Sequence, residues 1–422
     1  MPDFELVEEF QRFLEEQDPE FVKSEMHFFA ENNRRRGAGP HTALYPIFLN
    51  PRITEMYRRF SKLVWNAVER VVETVTENSV VEGEALRDFL NVDDVLRQLL
   101  DFKPKGGRMP RIIRPDTVYS GGIQTYEVNV SWPGGLFRVD LLLQGLDENT
   151  LYRRFREQMN AKGIHIHNPR KNYNSSLVLD QLVDASGKEK PYIAVIVPRN
   201  KTQKEDLTQI KLHTWFRDYS RERGFDCDII FPDEFEYDGY KASFRGRPID
   251  VAYRIFEWHH VLGDEKDDQG YRRVVQAEVA GSLPVVNSFA SELVSAKSLL
   301  EVFWDDRFRN IFDEGELDEL RQYIPRTANL ARVAPEVVRD VLENRERWVL
   351  KPVKGSSGRG VYVGKDPEVS IQDWRRTVEQ RGNGRYSQAL RTATMGAPDV
   401  GGLYPILTYE KASPALPSKH HG

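Results

Sequence analysis

The sequence predicts an α/β protein with a helical N-terminal region. Three observations carry that prediction. Apolar residues at helical spacing dominate the first hundred positions, a Gly-Gly hairpin follows, and continuous apolar strands then alternate with helix.

Composition bounds the rest. The chain has 422 residues, 60 Lys+Arg against 65 Asp+Glu, and a formal net charge of −5. At ~150 residues per domain, two or three domains are expected. The balanced charge lacks the basic footprint of a nucleic-acid binder. A single cysteine, Cys227, excludes an internal disulfide and a Cys-built metal site. No run approaches the ~18 apolar residues of a membrane span. The opening MPDFELVEEF has neither the basic flank nor the apolar core of a signal peptide, so a cytoplasmic location is expected.

Leu6, Val7, Phe10, Phe13 and Leu14 follow helical spacing, and Ile53 to Val72 make a stronger helix of about five turns. Gly and Pro in residues 32–51 read as a long basic loop, and a third helix is expected over 88–102. RIIRPDTVY and IQTYEVNV flank SGG as a β-hairpin. Residues 144–185 have no clear pattern. PYIAVIVP and FDCDIIFP read as buried parallel strands with a helix between them, followed by a hairpin-like ASFRGRPIDVAYRIF. Helices are expected at 289–304, 315–323 and 335–343, then strand, Gly-rich loop and strand in RWVLKPVKGSSGRGVYVGKD. Beyond about 385 the pattern dissolves. The expected segments are a helical region 1–105, a hairpin-bearing part 106–190, an α/β layer 191–285 and a lobe 286–422.

Three features can carry chemistry. In the hairpin, Arg114 and Asp116 share one face of a strand, as do Glu127 and Asn129 on the next. A two-residue turn puts Asp116 opposite Glu127 and Arg114 opposite Asn129; a three-residue loop puts the pairs on opposite faces. Two carboxylates, an amide oxygen and an arginine suit a Mg²⁺–polyphosphate site, and the alternative is a solvated face of cross-strand ion pairs. The second feature is Lys351 with Lys354, Gly355, Ser356, Ser357, Gly358, Arg359 and Gly360. Glycines there can bring backbone N–H groups against phosphate, or the segment can be a hairpin turn with scattered cations. The third is Lys297, within the apolar stripe of the helix expected at 289–304, where a lysine can also simply snorkel.

Taken in order, RPD…YEVN…PVVN…AK…PRT…WVLKP…GSSGRGVYVG resembles the circularly permuted ATP-grasp proteins, in particular the eukaryotic glutathione synthetases and the glutathionylspermidine synthetases. The resemblance covers about 110–365. It implies a circularly permuted ATP-grasp fold with an α/β substrate-side domain, and ATP and Mg²⁺ as cofactors. It also implies Asp116, Glu127 and Asn129 as metal ligands, Arg114 at the transferring phosphoryl group, and Lys297 and Lys351 on the ATP phosphates, with Gly355 to Gly360 closing over them. Two departures stand out: the loop after the Lys-Pro strand lacks the family's metal-holding glutamate, and the adenine-binding strand survives only as a remnant at Tyr386 to Leu390.

Other candidates are weaker. Arg254 on VAYRIFEW is an anion contact candidate, and Arg34, Arg35 and Arg36 either grip a substrate anion or form a solvated loop. His165 with His167, and His259 with His260, lack a third ligand and read as structural residues. Cys227, between aspartates in an apolar strand, makes a poor nucleophile. The expected activity is ATP-dependent amide formation between a small-molecule carboxylate and an amine. The alternatives are a degenerate nucleotide- or partner-binding relative and a small-molecule kinase.

Overall fold

The computed structural model describes residues 4–38, 44, 47–76, 81–90, 92, 97, 107, 110–119, 122–167, 172–198, 203–257, 261, 268–295, 297–352, 360–379, 386–391 and 406–411. At its centre lies a parallel sheet ordered Val285–Val286, Val251–Arg254, Ile193–Ile196, Cys227–Ile230. Apart from Asp228 and Arg254, its strands are apolar, because both faces are covered. Ala194, Ile196, Ile230 and Ala252 face one core, while Ile193, Val195, Cys227 and Val251 face the other. The two-residue period of a strand sends alternate side chains to opposite layers.

The first core also receives the helix Pro51–Thr76, whose Phe60, Leu63, Val64, Ala67, Val68, Val71, Val72 and Val75 form one buried stripe. Asn50 starts this helix, accepting from the Ile53 N–H at 2.9 Å. The second core holds Phe10, Phe13, Phe48 and Phe155 in stacked, edge and tilted contacts, together with the helices Leu136–Glu148, Thr150–Ala161 and Tyr173–Ser186. These helices and the strand Ile164–His167 account for most of 144–185, where buried and exposed residues are too mixed for periodicity to show.

Several expectations need correction. Residues 32–36 are not loop: the helix Pro19–Arg36 runs through the arginines and stops at Gly37, whose φ of 93° only glycine adopts without strain. Val81–Phe89 is a helix that the spacing did not mark, while most of 88–102, where a helix is expected, lies outside the described residues. ASFRGRPIDVAYRIF splits, with Ala242–Phe244 and Arg247–Pro248 forming a small hairpin and Val251–Arg254 entering the parallel sheet. The helix expected over 289–304 is broken into a 3₁₀ segment Phe289–Val294 and a four-residue α-turn Leu299–Val302. Beyond 385 the chain is not patternless. Tyr386–Arg391 pairs with both Thr327–Asn329 and Trp348–Pro352, and Ile406–Lys411 pairs with both Ile47–Leu49 and Ile164–His167. Among the described residues, no helix is long and apolar enough to cross a membrane.

Candidate functional site

The hairpin strands Arg114–Tyr119 and Ile123–Asn129 place Arg114 opposite Asn129 and Asp116 opposite Glu127. The route to that register differs from a two-residue turn. Tyr119 pairs with Ile123, leaving a three-residue connection, and the register then shifts between Asp116 and Thr117. Tyr126 is the extra, bulged residue, and it returns the acidic residues to one face.

That face is polar and half-buried. Arg114 holds Asp116 with two parallel hydrogen bonds, from Nε at 2.8 Å and Nη2 at 3.1 Å, and its Nη1 donates to the Gly134 carbonyl. All three guanidinium nitrogens are therefore engaged, and Arg114 acts in this state by orienting Asp116. Asn129 donates its amide N–H to the Arg114 carbonyl at 3.3 Å, which leaves its Oδ1 as the acceptor end.

Two lysines from distant segments meet this face. Lys297 lies in the break after the 3₁₀ segment, not on a helical stripe, and its Nζ stands 3.5 Å from Glu127 Oε1. Lys351 comes from Trp348–Pro352, a strand held between Tyr386–Arg391 and Tyr362–Val363. It is only 7% exposed. Its Nζ donates to the Tyr126 carbonyl at 3.3 Å and sits 4.5 Å from the centre of the Tyr126 ring. Burial pushes the Lys351 pKa down to about 8; Lys297 adds to this, while Glu127 and Asp116 oppose it. Tyr126 is itself raised, by burial first and then by Asp116 and Glu127.

Among the described residues, no group of three or more His, Cys, Asp or Glu could hold a metal. The donor set here is two facing carboxylates and one amide oxygen. That fits Mg²⁺, which takes hard oxygens and completes its shell with water and phosphate, far better than it fits zinc.

The other candidates lie elsewhere. Arg254 is fully buried and donates to the carbonyls of Asn287 (2.6 Å) and Phe256 (2.7 Å), to Glu292 Oε1 (2.7 Å) and to Ser131 and Ser291. With its fork committed to protein acceptors, it is a structural hub rather than an exposed anion contact. Arg34 and Arg35 share Glu31, and Arg36 pairs with Glu148 at 2.8 Å, so this run is compensated locally. Gly360 turns with φ of 74° ahead of the strand Tyr362–Val363. Lys354, Gly355, Ser356, Ser357, Gly358 and Arg359, like His259 and His260, lie outside the described residues. His165 contacts Asn160 at 3.2 Å on an exposed strand, and Cys227 is buried with its pKa raised to about 12, chiefly by burial.

No family model matches the sequence, and no curated protein matches it. Among solved structures, a glutathione synthetase-like effector from Globodera pallida, in its apo form, matches at a TM-score of 0.56 with 13% identity. The match covers 90% of this chain and 83% of that one. The fold is glutathione synthetase-like. At that identity the likeness concerns architecture, and the site has to be argued from its own residues.

Two residues inside the motifs YEVN and PVVN hold site-forming roles that the motifs do not assign. Asn287, the last residue of PVVN, accepts from the N–H groups of Arg111 (2.9 Å) and Ile112 (3.1 Å) and donates to the carbonyls of Ile112 (2.7 Å) and Val130 (2.9 Å). One side chain thereby pins both strands of the hairpin at its base. Tyr126 is the other. Strict alternation turns it away from Glu127's face, and only the bulge brings its carbonyl to Lys351.

Proposed function

We propose that the protein is an ATP-dependent carboxylate–amine ligase that forms an amide through an acyl phosphate. One observation carries this reading: Lys297 and Lys351, from sequence-distant segments, converge on the face that holds Asp116 and Glu127, within a glutathione synthetase-like fold. Such a face suits a reaction in which a phosphoryl group is transferred between strongly anionic partners. There the protein's work is placement and charge neutralisation.

In this reading ATP transfers its terminal phosphoryl to a substrate carboxylate, an amine attacks the carbonyl carbon, and ADP and phosphate leave. Lys351 and Lys297, which converge on that face, neutralise phosphate oxygens. Asp116, Glu127 and the Asn129 amide oxygen would hold Mg²⁺, which supplies further neutralisation of the phosphates when bound. Arg114 fixes Asp116 in the orientation that this needs. The substrates are a small-molecule carboxylate and an amine of amino-acid or peptide class.

The test follows ADP release from ATP and Mg²⁺ in the presence of pools of acids and amines. Release that requires both an acid and an amine is the expected result. Release with a single acceptor would indicate a kinase, and nucleotide binding without turnover a degenerate relative. Glu127→Gln and Lys351→Ala should each lower turnover at least ~10²-fold, the cost of losing one electrostatic contact to the transition state. Wild-type turnover in either variant removes that residue from the site.

A further inference from the structure

Within the chain Lys351 is partnered by Tyr126 twice over. The Tyr126 carbonyl accepts from its Nζ at 3.3 Å, and the centre of the Tyr126 ring lies 4.5 Å from the same nitrogen. An ammonium at that distance is held by the electron-rich face of the ring. Lys351 is 7% exposed, whereas Tyr126 keeps part of its surface in solvent, so the ring and not the ammonium is what the site presents.

The backbone explains how a ring comes to lie there. Tyr126 is the extra residue of the bulge that shifts the register between Asp116 and Thr117, and a bulge re-aims the side chain it carries. The hydroxyl end of the ring reaches the neighbourhood of the acidic face. Its ionisation is disfavoured by burial first, then by Asp116 and Glu127, with Arg114 opposing. The ring thus spans from the ammonium toward the carboxylates, across the space in which the ligase reading puts the phosphates.

The two lysines differ in what would release them. Lys297 faces Glu127 Oε1 at 3.5 Å, and Glu127 is one of the carboxylates suited to Mg²⁺, so a metal there would draw the carboxylate away from the lysine. The partners of Lys351 are a neutral carbonyl and a ring. What displaces them is an anion, because a hydrogen bond between two charged groups is roughly twice as strong as one to a neutral acceptor.

We propose that the Tyr126 ring is a cap on Lys351 that an incoming polyphosphate displaces, so that Tyr126 sets the affinity of the site for nucleotide. The identity of the anion as nucleotide rests on the ligase reading; the cap itself does not. Apparent affinity is then reduced by the fraction of molecules in which the ammonium is covered. Tyr126 acts through Lys351 and is a positioning residue. Its carbonyl contact belongs to the backbone and survives substitution, so the ring is the part that a variant removes.

Calorimetry on the full chain at pH 7 tests this, with Mg–ATP and inorganic triphosphate as separate probes. Tyr126→Leu should bind each probe about fivefold more tightly than wild type, the order of one cation–π contact. Tyr126→Phe keeps the ring and should stay within about twofold of wild type. Tyr126→Trp, which offers the stronger ring, should bind both probes more weakly. In a Lys351→Met background the Leu substitution should leave both affinities within about twofold. Weaker binding by Tyr126→Leu, a gain that persists without Lys351, or equal affinities across the series overturns the cap. If Tyr126→Leu does not fold, the comparison of Tyr126→Phe with Tyr126→Trp makes the same decision. If Mg–ATP binds none of these proteins while triphosphate still follows the ring, the ligase reading falls and the cap stands. If neither probe binds, both fall.

Discussion

Lys351 shows how a strand residue becomes a pH-sensitive contact. The strand buries it, the Tyr126 carbonyl accepts a hydrogen bond from it while the Tyr126 ring covers the ammonium, and no carboxylate touches it directly enough to offset burial. Its folded pKa of about 8 lies below the ordinary lysine value of 10.5. In the nucleotide-free protein the charge that meets phosphate is therefore present below pH 8 and lost as pH rises through it. The affinity for Mg–ATP should fall about tenfold per pH unit above 8, and Lys351→Arg, which keeps its charge, should flatten that fall. Binding titrations at pH 7 and 9 read this directly, and an equal slope in both proteins would exclude Lys351 as the cause. The same shift acts oppositely on stability. Between 8 and 10.5 the unfolded chain holds a proton that the folded one has shed, so this residue's contribution to stability rises with pH there.

At the scale of elements, legibility in the sequence follows the range of the forces involved. Pro51–Thr76 announces itself by burial that is periodic over neighbouring residues, and the strands at 193–196 and 227–230 by short, largely apolar runs. The face-to-face placement of Asp116 and Glu127 is also legible, but the bulge that achieves it is not: an extra residue leaves no trace in a pattern of alternation. Residues 289–304 keep apolar spacing on both sides of a break, so spacing alone reads one helix. Ser295 interrupts it, its hydroxyl donating to the Glu292 carbonyl at 3.2 Å. Gly364, the last residue of GSSGRGVYVG, is a further element-level determinant, with a role that the motif does not assign. It ends the strand Tyr362–Val363, donates its N–H to the Trp348 carbonyl at 2.9 Å, and would bring a Cβ to 1.8 Å from the Arg345 carbonyl oxygen. Gly364→Ala should therefore push this strand off Trp348–Pro352 and cost at least about 2 kcal/mol in denaturant unfolding. It should also weaken Mg–ATP binding, because Lys351 belongs to the displaced pair. An unchanged midpoint would mean that the turn relaxes freely.

At the scale of the whole molecule, one polar node joins the hairpin, the parallel sheet and the 3₁₀ segment. Arg254 brings Ser131, Ser291 and Glu292 together, Asn287 pins the hairpin base, and Glu278 accepts from the Phe289 N–H at 2.9 Å. Glu278 is the member least balanced by its surroundings. It is fully buried and its Oε1 has no partner. Burial raises its pKa to about 7, against the opposing pull of the Phe289 N–H, Ser288 and Arg254. The folded protein thus binds a proton between pH 4.5 and 7 that the unfolded chain releases, so this residue makes stability fall as pH rises through that window. Glu301, raised to about 7 mainly by burial, acts in the same direction, and His213, lowered to about 3, acts in the opposite one from pH 3 to 6.5. A single pH–stability curve therefore mixes all three, and a difference between two proteins isolates one. Glu278→Gln keeps the shape and the acceptor for Phe289 N–H but cannot ionise. Its stability relative to wild type should climb by about 3 kcal/mol between pH 4.5 and 8, then level off. Urea unfolding of both proteins at pH 4.5, 6 and 8 measures that difference. A pH-independent difference would place the proton elsewhere and leave Glu278 ionised in the folded node, which its burial without a partner for Oε1 argues against.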